Sequence, residues 1–295
     1  MSSEGHGVLR PLLTEPQRLY GLAISLDGRL VASAVERSGA DVVAQVHSAD
    51  GREVAVDFSR KLLPPIRLAF SSDGEVVATG WNDECVRGQV RGYSLATGAG
   101  LYVTGDAVDA EDCFDLRFCR DGRLLAGAYQ QSEEGIHVWD GRTGEALRTL
   151  VSDNGASTRG IAFGEGDILA AACANADVWN AATGELLAQL TPSDSDCYAV
   201  SFNRSGDLLA ALAWSSRTED EVHVWAWPSL RKIARWPAPR GGEDFVLGFY
   251  GDRQLLVRHE EGLATRDAQT GRVGGVLRAE DVRMAEASAE AIVVG

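Results

Sequence analysis

An all-β fold, a closed ring of four-stranded antiparallel units, is predicted by three features of this chain. A glycine-containing turn recurs at a spacing of about 40 to 48 residues, a second glycine turn follows in five of the six repeats at its own offset, and the residues between turns alternate apolar and polar. No dozen-residue segment has helical periodicity, so every repeat is read as strand. Repetition of such a unit along a chain is the pattern of a β-propeller.

The first turn reads Ser25-Leu26-Asp27-Gly28, Ser71-Ser72-Asp73-Gly74 and Cys119-Arg120-Asp121-Gly122, and more loosely Gly164-Glu165-Gly166, Asn203-Arg204-Ser205-Gly206 and Tyr250-Gly251-Asp252. Gly28, Gly74 and Gly122 are structural positions, since a tight hairpin asks for a residue that tolerates positive φ. The second turn is Asp50-Gly51, Thr97-Gly98, Thr143-Gly144, Thr183-Gly184 and Thr270-Gly271; in the fifth repeat Trp227-Pro228-Ser229 replaces it. Two turns per repeat mean four strands per repeat, as in Ile136-His137-Val138-Trp139, where alternation marks a half-buried strand.

Six complete repeats fall at 17–59, 65–105, 112–152, 157–192, 196–238 and 243–279, within a single propeller covering 1–295. Residues remain at both ends. The segment 8–13 reads as an N-terminal closing strand and 282–294 as C-terminal strands of a last blade. Seven blades are therefore expected, six complete and one assembled from both termini, because closing the ring removes the exposed strand edges; six blades is the alternative.

Val138-Trp139-Asp140, Val178-Trp179-Asn180 and Val224-Trp225-Ala226 end the third strand of their repeats. In this the chain resembles the WD40-repeat family, which carries Trp-Asp there. The resemblance is degenerate: only one of the three keeps the Asp, none of the six repeats carries the Gly-His dipeptide before its first strand, and the family's His, Ser/Thr, Asp, Trp tetrad cannot be assembled. It implies the propeller architecture, with Trp139, Trp179 and Trp225 as structural residues. A quinoprotein-like propeller is the second choice.

The chain has 295 residues, 45% of them hydrophobic, and a net charge of −15. That charge opposes nucleic acid and anionic lipid and favours a basic partner. Apolar runs last about one strand, short of the roughly 20 residues of a membrane helix, and Met1 to Arg10 lacks the features of a secretory signal, so a cytoplasmic location is expected. Lys61 and Lys232 are the only lysines, which with abundant Ala and Gly points to a GC-rich bacterial genome. The five cysteines, Cys85, Cys113, Cys119, Cys173 and Cys197, include no CxxC pair and read as free, buried residues.

Function is expected to be non-catalytic: an interaction scaffold whose top face, made by the loops between repeats and between strands two and three, is acidic. The partner-binding candidates are Trp81, Tyr129 and Trp214 at the ends of second strands, with Asp83, Glu84, Glu133, Glu134, Asp194, Asp196, Asp220, Glu243 and Asp244 around them. Aromatic anchors in a charged surround are typical of binding hot spots. The alternative is a propeller enzyme or a metal- or ligand-sensing propeller with carboxylates in the central channel. No catalytic or cofactor motif occurs, and no cofactor is expected. Asp109, Glu111 and Asp112 form the densest carboxylate cluster, but without EF-hand spacing. His137 and His223 each lie two residues before a strand-three Trp and are read as structural.

Overall fold

Each repeat folds as an antiparallel meander because its turns satisfy their own polar groups. In the first hairpin the Ser25 amide donates to the Leu30 carbonyl at 2.9 Å, Leu30 N donates back to Ser25 Oγ at 2.9 Å, and Ser25 Oγ donates to Asp27 Oδ1 at 2.7 Å. Gly28 completes the turn at φ 70°. Ser71 repeats the arrangement; Cys119 makes it with sulfur, receiving Leu124 N at 3.0 Å and donating to Asp121 Oδ1 at 2.9 Å; Asn203 makes it with its amide, receiving Leu208 N at 2.9 Å. Ser, Cys and Asn are thus interchangeable here, each a short side chain that can both accept and donate.

The computed structural model describes residues 18–36, 42–48, 53–82, 89–104, 113–129, 135–152, 157–191, 196–214, 219–239, 247–278, 285–287 and 292–294, with the backbone alone at 53–65, 81–82, 278, 286–287 and 293–294. Blade 1 is β1 (Leu19–Ile24), β2 (Leu30–Glu36), β3 (Val42–Ser48) and the first part of β4 (Glu53–Phe70). Blade 2 is the rest of β4 with β5 (Val76–Asn82), β6 (Val90–Ser94) and β7 (Gly100–Val103). Blade 3 is β8 (Cys113–Phe118), β9 (Leu124–Tyr129), β10 (Ile136–Asp140) and β11 (Ala146–Leu150); blade 4 is β12 (Gly160–Phe163), β13 (Ile168–Ala172), β14 (Ala176–Asn180) and β15 (Glu185–Leu190). Blade 5 is β16 (Cys197–Phe202), β17 (Leu208–Ala213), β18 (Asp220–Ala226) and β19 (Arg231–Ala238); blade 6 is β20 (Leu247–Tyr250), β21 (Gln254–His259), β22 (Gly262–Asp267) and β23 (Val273–Arg278).

Among the described residues the structure therefore carries six four-stranded blades, the alternative count, which corrects the favoured expectation of seven. Among the described residues the C-terminus forms a two-stranded ladder, β24 (Ala285–Ala287) with β25 (Ile292–Val294). β24 touches β20 on one side and β1 on the other. The expected closing strand 8–13 lies outside the described residues. A second difference is β4, which runs unbroken from blade 1 into blade 2 where a connecting loop was expected. Its ladder with β5 shifts register between Leu63 and Arg67, spanning Pro64 and Pro65, which have no amide hydrogen to contribute.

The core lies between blades. Each pair of neighbouring sheets sandwiches a layer of Ala, Val, Leu and Phe, such as Ala126, Val138, Ile161, Leu169 and Trp179 between blades 3 and 4. A smaller layer, Leu256 and Leu263, is covered by Ala285 and Ile292 of the C-terminal ladder. Trp139, Trp179 and Trp225 are each 3% exposed. Blades are also keyed together at the second turn. The Tyr102 ring of blade 2 lies over Gly144, where a Cβ would meet it at 2.5 Å, and its hydroxyl donates to the Gly141 carbonyl at 3.0 Å. Trp236 of blade 5 repeats this on blade 6, against Gly271 and with Nε1 donating to Ala268 O at 3.2 Å. Glycine is required at both turns for close approach as well as for positive φ. The fifth repeat's own turn has a cis Trp227–Pro228 bond and Leu230 at φ 58°.

Candidate functional site

Two regions gather functional groups: the top rim and the axial channel. On the rim, Trp214 follows β17 and is 37% exposed, with its amide donating to the carbonyl of the exposed Asp196 at 2.9 Å. Two other candidates are corrected. Tyr129 is fully buried: it is the last ladder residue of β9, opposite Cys113, and its ring meets His137 edge-on at 5.2 Å and Trp139 at 6.4 Å. Trp214 lies eight residues past its hairpin glycine and Tyr129 seven, and in a strand one residue of offset turns a side chain to the other face. Asp220 is 2% exposed, because β18 begins a residue earlier than a loop reading allows and pairs Asp220 with Ala238 inside the sheet. The backbone of Trp81 belongs to β5, and its side chain lies outside the described residues, as do Asp83, Glu84, Glu133, Glu134, Asp194, Glu243, Asp244, Asp109, Glu111 and Asp112.

The histidines read as structural stack on the strand-three tryptophans. His137 lies 5.9 Å from Trp139 at 19°, and His223 lies 5.8 Å from Trp225 at 20°. His223 is completely buried, with Nε2 3.1 Å from Glu221 Oε2, and Glu221 is itself held by Arg235. The carboxylate partner fixes the proton on Nε2, so protonation would add a buried donor at Nδ1, which has no hydrogen-bond partner among the described residues. Burial, assisted by the Lys232 charge, lowers the His223 pKa to about 4. An unfolded chain takes up this proton near 6.5. Stability is therefore constant above that pH and declines as pH falls through the window down to about 4, by roughly 2–3 kcal/mol from this group alone. Urea midpoints measured at pH 7, 5.5 and 4.5 will show this slope in the native chain and a smaller one in His223→Gln; equal slopes in the two would refute the assignment.

Cys113, Cys119, Cys173 and Cys197 are buried and free. Burial lifts the Cys119 thiol to about 11 and that of Cys173 to about 12, which suits inert core residues. Among the described residues no group of three or more His, Cys, Asp or Glu is placed to hold a metal ion, and no helix is long and apolar enough to cross a membrane.

The axial channel was not anticipated as a basic site. Its mouth on the face of the tight turns is a cavity of about 400 Å³ lined by the ends of innermost strands from all six blades. One ring of lining residues is Ala23, Ala69, Arg117, Ala162, Ser201 and Gly248; below it lie Leu26, Ser72, Arg120, Arg204 and Gly251. None of the lining residues is Asp or Glu. Arg117 Nε is held 3.1 Å from Asp115 Oδ1. Asp115 Oδ2 in turn accepts Ile161 N of blade 4 at 2.9 Å. Arg120 extends from blade 3 to blade 5, donating to the Asn203 carbonyl at 2.6 Å and to that of Arg204. The signal in the sequence was positional: aligned on the hairpin turns, the Arg117 position holds Ala, Gly or Ser in the other five repeats.

Fold and channel together define a six-bladed β-propeller. Comparison with models of known protein families finds no match, and comparison with curated protein sequences finds none either.

Proposed function

We propose that this chain is a degenerate WD40-type propeller acting in the cytoplasm as a non-catalytic protein-interaction scaffold, with its acidic top face receiving a basic protein or peptide. The observation that carries the reading is Trp214, a large aromatic left 37% exposed on the rim beside the exposed Asp196. Propellers are commonly interaction platforms, and a rigid ring suits the role: a preorganised surface loses little entropy on binding. The net charge of −15 supports a basic partner, since a field of that sign accelerates encounter with positive surfaces.

The test compares tagged native chain with Trp214→Ala, purified from the native host at low salt. A stoichiometric basic protein is expected with the native chain, released at high salt, and reduced about tenfold or more with the variant, in line with a hot-spot loss of roughly 2 kcal/mol. Trp214 is 37% exposed, so the variant loses some packing and its Tm falls, but it should still melt in one cooperative transition well above the temperature of the binding assay. Equal recovery with both chains, or no basic protein with either, overturns the reading.

A further inference from the structure

We propose that the channel mouth on the tight-turn face is a binding site for a small organic anion: one anionic head group carried on an apolar body. A cavity of about 400 Å³ is within the range of small-molecule sites and too confined for a folded partner. Three arginines and no carboxylate line it, in a chain whose 43 acidic residues outnumber its 28 basic ones. The lining itself is therefore basic, in contrast to the net charge of the whole molecule, with Asp115, Glu165 and Asp252 standing behind it.

Two of the three arginines are preorganised. Arg117 is oriented by an ion pair with Asp115, which offsets part of its charge, and Arg120 is anchored on two carbonyl oxygens across the mouth, contacts that fix its guanidinium without neutralising it. Acidic groups do stand nearby. Asp115 pairs with Arg117, and Glu165 approaches Arg120 only to 3.9 Å with its side chain 76% exposed. At the level of Arg117, Ser201 Oγ accepts the Phe249 amide at 3.1 Å, and its own hydroxyl hydrogen can serve a ligand oxygen. Four of the five other positions in that ring are Ala or Gly, which is what leaves the space. Phe70, Phe118 and Phe249 supply apolar walls for the body of the ligand. The site lies on the face opposite Trp214, so it is independent of the scaffold reading and is tested separately.

Isothermal titration of the intact protein with phenyl phosphate is the experiment, with inorganic phosphate and benzyl alcohol as comparison probes. Saturable one-to-one binding of phenyl phosphate is expected with Kd below about 1 mM, weakened about tenfold in Arg117→Gln and in Arg204→Gln. Arg204→Gln leaves in place the backbone carbonyl that receives Arg120, so it tests the charge even if Arg117→Gln disturbs Asp115. Absence of saturable binding, or the same Kd in the native chain and Arg204→Gln, overturns the site. Inorganic phosphate binding as tightly as phenyl phosphate overturns the apolar part, and benzyl alcohol binding as tightly overturns the anionic part.

Discussion

A chain ended at Arg278, without the C-terminal ladder, will melt roughly 10 °C below the 295-residue chain and over a broader range. The ladder does two things. Ala285 and Ile292 cover Leu256 and Leu263, which are completely buried, and uncovering two leucines forfeits roughly 3–6 kcal/mol. β24 also lies between β20 and β1, the innermost strands of the last and first blades. Every other innermost strand is flanked on both sides by its neighbours, so removing β24 leaves two inner edges facing a gap. A propeller opened in this way resembles a linear repeat array, in which end units fray first and cooperativity falls. At about 2–4 °C per kcal/mol, the lost burial alone accounts for the predicted shift. Calorimetry of the two chains measures it. Ile292→Asp, which buries a charge against the same leucines, should move the melting temperature the same way without changing chain length. An unchanged transition in both would show that the ladder is an appendage and does not hold the ring.

The repeats were legible because their chemistry is local. Ser25, Asp27 and Gly28 close a hairpin with atoms only a few residues apart, and the Cys119 and Asn203 turns betray the same logic in different letters. The blade count was less legible, since nothing in Val282 to Val294 says how many partners those strands will find. Burial at blade ends turned on single-residue offsets: Tyr129 and Trp214 look alike in sequence, yet one lies in the core and the other at the rim. The channel is the clearest case. Arg120 and Arg204 read as ordinary turn charges, and their convergence depends on the ring bringing blades 3 and 5, some 84 residues apart, across one mouth. The keying of Tyr102 on Gly144 and Trp236 on Gly271 is likewise a contact between successive repeats that no single repeat displays.

Trp225→Ala will cost about 3–5 kcal/mol of unfolding free energy, the usual range for a buried aromatic truncated to alanine. The ring is 3% exposed and belongs to the layer between blades 4 and 5, with Val178, Val200, Phe202 and Leu209. Its faces are occupied too: His223 stacks on it at 5.8 Å, and Lys232 Nζ lies 5.2 Å from the ring centroid. The loss therefore combines apolar transfer, a cavity within the sheet-to-sheet layer, and a cation–π contact of about 0.5–1 kcal/mol. A second consequence follows from the stacking. With the indole gone, water reaches the His223 imidazole, and the desolvation that keeps its pKa near 4 is relieved. The variant should thus be less stable at pH 7 and also show a shallower decline between pH 6.5 and 4, so native and variant curves converge on acidification. Urea denaturation of both proteins across that range reads the two effects together. A loss under about 1 kcal/mol would remove Trp225 from the core, whereas a full loss with parallel pH curves would leave its packing role intact and show that the indole does not shield His223.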